Sequence, residues 1–510
     1  MFLRLGGKLV GSLHIEELKS ISLSRILGFS CQRLWMAMMF YSIVPYVFSA
    51  DIRSTLYQHQ STSLLAFTVG CIAIIAFHKP HTRIRKLRLL VWGSAILMLI
   101  GSVLCYFADV TTPSGMLITT LTGIMTGLGS SVNFVLWMCL FYSRGAVVTL
   151  VEYAAGTAVG LTVGLVLIFV PTPVAMALVT ISPIGSSAGL ARNDFAKTHT
   201  HESPAQDAPL SKSAIKLFAR ALTGAFFIGF LQGLTDIISG FSAFSTTDEH
   251  GVYLFLVGIL VSLIVAYFGI VKTDPLETLY RVAMLFLGLG FVLMAFIRNY
   301  YTFYTSISFG GYMIFFAFIL LASGRISWAF GTGVMRPAAA SVGTMYFGET
   351  VGLILGGGLT TLYGESLNAV FISAICVLIF LVVHLFLFNE VDLIHAGIGD
   401  VDLVEGASVP ADIHGENVKE DGAKTAEPPK ADIFKERADY LSSKHNLSPR
   451  EAEVLLLLLQ GRTMVRIQEE LYISAGTVST HMRHIYQKIG VANKQQLLDL
   501  AFPKEKPVND

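Results

Sequence analysis

The chain has 510 residues, of which 53% are hydrophobic and only 14% charged, with a formal net charge of +1 and a mean hydropathy of +0.64. A soluble domain usually carries about 25% charged residues, so this composition excludes a wholly soluble globular protein and predicts a bilayer-embedded majority. The five cysteines (Cys31, Cys71, Cys105, Cys139, Cys376) form no C-x-x-C pair; they read as small buried hydrophobes rather than as a zinc or disulfide framework.

The first residues, "MFLRLGGKLVGSLHIEELKSISLSRILGFS", have basic residues throughout and no apolar core followed by a cleavage site. They read as a cytoplasmic lead-in, 1–28, rather than a secretory signal. The stretch "EELKSISLSRILGF" is a candidate surface amphipathic helix or an ordered approach to the first span. A bilayer crossing needs about 20 apolar residues per helix. About twelve such segments follow between 29 and 388. The first set is 29–50, 61–78, 89–107, 116–141, 146–170 and 174–190; the second is 221–241, 252–271, 282–297, 304–322, 338–362 and 369–388. The segment 174–190 is short and interrupted by Pro183, and leaving it out gives eleven. A polar stretch, 191–216, separates the sets.

Lysine and arginine placement sets the orientation. With the N-terminus in the cytoplasm, inside loops carry Lys79, Arg83, Arg85, Lys86, Arg88, Arg144, Arg192, Lys197, Lys212, Lys216, Lys272, Arg281, Arg325 and Arg336, and outside loops little beyond Arg53 and Arg298. An even span count returns the C-terminus to the cytoplasm. Residues 389–433 then change character: acidic, bearing Gly and Pro, without helical periodicity. They read as a flexible linker with a reach of roughly 35–40 Å.

From 434 to 510 the pattern is that of a small helical domain. Ser448-Pro449-Arg450-Glu451 is a capping box with Pro at the first helical position, and Gly461 is the expected stop of that helix. "TMVRIQEELY" predicts a second helix. Ser474 caps a third from Ala475 to Ile489, closed by Gly490, and Asn493 with Gln496 opens a fourth. Two helices joined by the short turn at Ile473-Ser474 make a helix-turn-helix. On the third helix Val478, Met482, Ile485 and Ile489 should pack on Leu455, Leu458, Ile467, Leu471 and Leu497. The opposite face presents Ser479, Thr480, Arg483 and Gln487 to a major groove. Arg483 suits a guanine or a phosphate, and Thr477, near the helix start, suits a phosphate.

Ser448-Pro449-Arg450-Glu451, Gly461, Ile467, Leu471, Ile473-Ser474, Thr477-Val478, His481, Ile485, Lys488 and Gly490 together resemble the LuxR-type DNA-binding domain of bacterial regulators, over 447–501. The resemblance implies that the third helix reads bases through Ser479, Thr480 and Arg483, that Thr477 and Lys488 face the DNA backbone, and that the fourth helix supports a homodimer. Many members have Lys where Ser479 stands and a small Ala where Gln468 stands. The first departure removes a positive charge from the reading face.

Two sets of six spans around a central loop, over 29–388, resemble the major facilitator superfamily. The loop "HKPHTRIRKLR" sits at that superfamily's basic motif but lacks its Asp and Gly pattern, and reads as a positive-inside anchor; His78 and His81 make no convincing metal site. Gly156, Gly160 and Gly164 share one face of the fifth span, and Gly356-Gly357-Gly358 lie in the eleventh; both sets read as packing surfaces. Ionisable and amide side chains inside spans are costly and mark functional candidates: Arg33, Asn133, Glu152, Gln232 and Asp236, with Glu349. Arg33 and Asp236 belong to the first and seventh spans, which line the central cavity in a facilitator-type arrangement. Each candidate reads either as ligand contact or as an interhelical pair. Trp35, Trp137 and Trp328 read as packing residues or as walls for an aromatic ligand.

The expected fold is therefore all-α: a polytopic bundle of about twelve helices, six plus six, and a four-helix LuxR-type domain. The expected function is a membrane-bound transcriptional regulator in the bacterial inner membrane, with promoter DNA, membrane lipid and an unidentified small molecule as partners. A secondary transporter with a regulatory tail is the alternative, and a ligand-independent membrane tether for DNA a third reading. No nucleophile–base pair, metal spacing or nucleotide loop stands out, so no enzyme activity, metal or cofactor is expected.

Overall fold

The computed structural model describes residues 18, 20–77, 84–142, 146–192, 212–243, 249–272, 275–296, 301–329, 334–363, 369–387, 430–460, 467, 470–471, 475–491 and 494–502. The chain divides into two compact units, Met1–Ile394 and His395–Asp510.

The first unit contains twelve long helices among its described residues: α1 (Leu23–Tyr41), α2 (Ile52–Phe77), α3 (Ile84–Cys105), α4 (Pro113–Tyr142), α5 (Ala146–Ile168), α6 (Thr172–Arg192), α7 (Lys212–Ala243), α8 (Glu249–Val271), α9 (Leu276–Phe296), α10 (Tyr301–Ala329), α11 (Met335–Tyr363) and α12 (Ala369–Leu387). Ten of them, α2 to α11, contain stretches long and apolar enough to cross a bilayer, and the apolar part of α12, Val370–Leu385, is shorter. The chain is a multi-pass membrane protein. Large apolar side chains face outward, among them Leu89, Phe169, Phe296 and Leu362. The interior is mostly apolar and aromatic, with buried Ser, Thr, Asn, Gln and His side chains set among it. Apolar groups on both sides of the helices suit a bundle whose surroundings are as apolar as leucine.

Three boundaries differ from expectation for physical reasons. The first helix covers Leu23–Tyr41 rather than 29–50, because Ser42 turns extended and Pro45 opens a 3-10 turn, Val44–Tyr46. The second begins at Ile52 rather than 61. Its polar start is amphipathic, with Thr55, His59 and Ser63 on the buried side, and average hydropathy hides such a start. α6 runs unbroken through Pro183. Proline cannot donate to the carbonyl four residues back, but the Ser182 hydroxyl donates to Val179 O at 2.7 Å in its place.

The two halves repeat one packing scheme. α1 packs on α5 and α6, α2 on α4, and α3 on α4 and α6; six helices later α7 packs on α11 and α12, α8 on α10, and α9 on α10 and α12. The halves meet where α2 packs on α11 and α5 on α8. Glycines fix the register. A Cβ at Gly156 would lie 3.1 Å from Ile26 O, and one at Gly160 2.6 Å from Ser30 O. In the second half a Cβ at Gly348 would meet Phe226 O at 2.0 Å, and one at Gly352 would meet Phe230 O at 2.1 Å. Gly229 and Gly233 answer from α7, their Cβ positions 2.0 and 2.1 Å from Met345 O and Glu349 O. Only glycine allows helix backbones this close. These contacts equate α1 residues with α7 residues 200 positions later and α5 residues with α11 residues 192 later. The sequence carries the same repeat, "GTAVGLTVG" at 156–164 against "GETVGLILG" at 348–356.

The second unit holds α13 (Lys430–Lys444), α14 (Pro449–Leu459), α15 (Ala475–Ile489) and α16 (Lys494–Ala501). α13 begins inside the stretch expected as linker, because Ala438 and Leu441 bury against the core and Phe434 packs edge-on to Phe502 at 5.4 Å. The capping box at Ser448 and Glu451 forms with Pro449 at the helix start, and Gly490 ends α15 at φ +80°. Val478, Ile485 and Ile489 bury with Leu455, Leu458, Ile467 and Leu497, with Met482 and Leu471 against them. Of the expected second helix only Ile467, Glu470 and Leu471 are described, as helical. Gly461, Gln468, Ile473-Ser474, most of the linker and the loops bearing Lys79, Arg83, Arg144, Lys197 and the two histidines His78 and His81 lie outside the described residues.

Candidate nucleic-acid interface and membrane cavity

α15 is amphipathic. Its buried edge is Val478, Ile485 and Ile489, and its other side carries Thr477, Thr480 and Lys488, all exposed. Ser479, Arg483 and Gln487 lie on the same helix, with Thr480, Arg483 and Gln487 spaced three and four apart and so on one face; the side chains of Ser479, Arg483 and Gln487 lie outside the described residues.

The far end of α15 is pinned to the start of α14. Lys488 Nζ donates to Glu451 Oε2 at 2.6 Å, and His484 Nδ1 lies 3.6 Å from Glu451 Oε1. The other role of Glu451 is to accept the Ser448 backbone N–H at 2.7 Å. Burial alone pushes the Glu451 carboxyl up, but its hydrogen bonds with Lys488 and Ser448 and the nearby ammonium outweigh that and hold its pKa at about 2. Lys488 also reaches Asn446 O at 3.5 Å, and the Lys488 carbonyl lies 3.0 Å from His445 Nδ1. Asn446 takes the left-handed conformation, φ 50°, which Asn tolerates better than most residues. Lys488, expected at the DNA backbone, is thus first a clamp between two helices.

In the membrane unit a cavity lies between the halves. It is lined by Arg33, Met36, Ala37 and Tyr41 of α1, Tyr153 and Leu161 of α5, Phe309, Tyr312, Met313 and Phe316 of α10 and Tyr346 of α11, and is narrow, with a volume of about 30 Å³. Tyr41 packs edge-on to Phe309 at 5.0 Å, and Phe309 stacks on Tyr312 at 6.4 Å. Arg33 has a buried Nε with no partner, and its Nη1 contacts the Met36 sulfur at 3.7 Å. Glu349 accepts the Tyr312 hydroxyl at 2.7 Å. Gln232 Nε2 donates to Asp236 at 2.6 Å. Glu349, Asp236 and Arg33 all lie within electrostatic reach of Tyr41.

Of the sequence candidates, Arg33 lines the cavity. Asn133 and Glu152 are placed elsewhere. Asn133 Nδ2 donates to Ser187 at 3.0 Å, and its oxygen accepts from Ser186 at 2.8 Å. Glu152 is fully buried against Arg25, whose Nε donates to it at 2.6 Å, and it also accepts the Ser22 backbone N–H at 2.8 Å. That pair holds the start of α1 to α5. Trp35 and Trp137 are packed, their indole N–H groups donating to Ser102 and Ser186 at 2.8 Å each; the Trp328 side chain lies outside the described residues. Gln32, which sequence reasoning passed over as one more residue of an apolar run, is fully buried with neither amide atom partnered. Its equivalence to Gln232 in the repeat was the signal that pointed to it.

Residues 445–501 match the family of bacterial regulatory proteins, luxR family. The C-terminal unit is a luxR-family helix-turn-helix domain. A Mycobacterium bovis protein assigned as an HTH-type transcriptional regulator is 37% identical over 62 residues, 12% of this chain and 7% of that one. The HTH-type transcriptional regulator MalT of Yersinia pestis is 42% identical over 55 residues, 11% of this chain and 6% of its own length. The chain therefore spans under a tenth of these relatives, and the likeness is confined to the luxR-family domain. Among solved structures, the human organic anion transporter MFSD10 is similar over 71% of this chain and 98% of its own, with a TM-score of 0.47 and 14% identity. A POT family transporter in complex with 5-aminolevulinic acid is similar over 71% and 95%, with a TM-score of 0.45 and 13% identity.

Proposed function

We propose that this chain is a membrane-bound transcriptional regulator. Its membrane unit senses a small molecule between its two halves, and its luxR-family domain binds promoter DNA from the cytoplasmic side of a bacterial inner membrane. The observation that carries this reading is the union in one chain of a multi-pass helical unit with a luxR-family domain. Thr477, Ser479, Thr480, Arg483 and Gln487 face the DNA in this reading; Lys488 supports the helix that bears them. A homodimer through the luxR-family domain would let two such helices read neighbouring half-sites.

Contacts between the halves govern how a ligand enters. α2 and α11 touch near both ends, Tyr57 at Gly357 and Cys71 at Gly343, and α5 and α8 do so through Leu150 at Gly269 and Gly164 at Phe255. A ligand enters such a cavity only if the halves shift, and a ligand that binds one arrangement better moves the population toward it. A transporter with a regulatory tail remains the second reading, and accumulation of ligand in sealed vesicles separates the two.

The deciding experiment is genome-wide occupancy by crosslinking and sequencing, intact protein against Arg483→Ala, in native cells. Discrete promoter peaks that vanish in the variant support the regulator. A lack of peaks across growth conditions sinks it.

A further inference from the structure

We propose that the cavity takes a compact organic anion: a carboxylate, or an equivalent acidic group, on an apolar or aromatic body. This rests on the reading that the membrane unit binds a small molecule, and names the class.

The first observation is an imbalance of partners. Both carboxylates near the cavity are already engaged, Glu349 by the Tyr312 hydroxyl and Asp236 by Gln232. The guanidinium is not: among the described residues, Arg33 Nε is buried without a partner and Nη1 meets only a thioether. A cation inside a helical bundle without a hydrogen-bonded counter-charge is expensive. An incoming acid would supply that counter-charge, and a planar guanidinium holds a carboxylate with two parallel bonds. A cationic ligand would have to approach the unpaired Arg33 guanidinium, and a neutral one would leave it unpaired.

The second observation concerns the walls. Tyr41, Tyr153, Phe309, Tyr312 and Phe316 surround the space beside Arg33. They offer an apolar, π-rich lining and hydroxyls at the edge, suited to a ring or short hydrocarbon rather than a hydrated inorganic ion.

The third observation comes from the internal repeat. Gln32 and Gln232 occupy equivalent positions on α1 and α7, both are fully buried, and both have amide atoms without partners: Nε2 and Oε1 of Gln32, and Oε1 of Gln232. Gln32 lies one turn before Met36, and residues four apart share a helix face; Met36 lines the cavity. Gln32 is not itself in the lining; its amide, which can donate and accept, reaches a ligand only if α1 turns on binding. The class that the present lining carries is an acid with an apolar body.

The test uses full-length protein in lipid nanodiscs. Benzoate, phenylacetate and indole-3-acetate are titrated beside benzamide (neutral) and phenethylamine (cationic), with thermal unfolding and isothermal titration as readouts. At least one acid should bind saturably and raise the unfolding midpoint, while benzamide and phenethylamine do neither. Arg33→Gln should weaken that acid by about tenfold or more, in keeping with removal of a buried charge partner. Arg33→Lys, which keeps the charge and safeguards against a misfolded Gln variant, should weaken it less. Binding of the amine or amide in preference to the acids, acid binding unchanged in Arg33→Gln or stronger in Gln than in Lys, or binding by none of the series overturns the assignment. Promoter occupancy in the same cells separates the two readings. Acid binding without any change in occupancy keeps the anion and sinks the sensor. Arg483-dependent peaks with no acid binding keep the regulator and sink the anion.

Discussion

Lys488 Nζ sits 2.6 Å from Glu451 Oε2, joining the last turn of the candidate reading helix α15 to the capping box that opens α14. The Glu451 side chain is 5% exposed and that of Lys488 41%, so one end of the pair is shielded and the other wet. The carboxylate therefore serves two ends: it caps α14, and it sets the position of α15.

Glu451→Ala should destabilise the luxR-family domain by about 1–3 kcal/mol, combining a lost cap with a broken, partly buried pair. Lys488→Met should cost less, because the capping half survives. Hydrogen exchange of α14 and α15 amides in the full-length protein reads both. Equal protection in Glu451→Ala and the unmodified protein would contradict the clamp.

The same carboxylate sets a pH dependence. Its pKa is held at about 2 in the folded domain, against an ordinary value of 4.5. A depressed folded-state value contributes stability that is complete above the unfolded pKa and is lost as pH falls from about 4.5 toward about 2. Exchange protection of α14 and α15 should therefore fall across that window, and the fall should flatten in Glu451→Gln. A slope unchanged by that substitution would assign the acid lability to other groups.

In the C-terminal domain the cap of α14, the extent of α15 and the buried core were legible, while the helix α13 was not. The legible signals are local: a Ser-Pro-x-Glu cap, a Gly stop at Gly490, and a period near 3.6 at Val478, Met482, Ile485 and Ile489. The membrane unit was legible as a count and a six-plus-six order, because hydropathy reports immersion. It does not report which face looks inward. His59 and Gln32 vanish into averages, and the start of α2 was missed for that reason. Glu152 read either as ligand contact or as an interhelical pair, and it is the pair; its partner could not be named because Arg25 stands 127 positions away in a stretch read as lead-in. The glycine repeat was present in the sequence, but equating Gln32 with Gln232 needed the backbone contacts at Gly160 and Gly352.

Gln32→Met should stabilise the ligand-free protein. Two buried amide atoms without partners cost about 1–3 kcal/mol in desolvation, and methionine fills a similar volume without polar demand. A higher unfolding midpoint in nanodiscs is the expected result, and a lower one would mean that the amide is satisfied by bound water in the membrane.

The α7–α11 contact should tolerate nothing beyond glycine. Gly352→Ala places a methyl where Phe230 O now sits at 2.1 Å, whereas Gly358, six residues on, has no atom within 4 Å of its Cβ position. Gly352→Ala should lower the yield of monodisperse protein on size exclusion, and Gly358→Ala should not. Equal yields would mean that the two helices can separate at little cost, which would weaken the view of the second half as a tightly packed body.

The proposed reading face of α15 lacks one positive charge. Ser479 stands where many LuxR-type domains carry Lys, which in the proposed reading leaves one phosphate or base contact unmade. Each ammonium that neutralises a DNA phosphate releases condensed counterion and steepens the salt dependence of binding by about 0.9 in log–log slope. Ser479→Lys should therefore tighten binding to a target promoter at low salt and add about one unit to that slope. Arg483→Ala should weaken binding by about 1–3 kcal/mol, with loss of sequence preference if Arg483 reads a base and with a shallower salt slope if it holds a phosphate. Fluorescence anisotropy across a salt series, on the peak sequence and on a scrambled duplex, separates these cases. If neither substitution changes affinity or slope, α15 does not face the DNA in the way its amphipathic pattern implies.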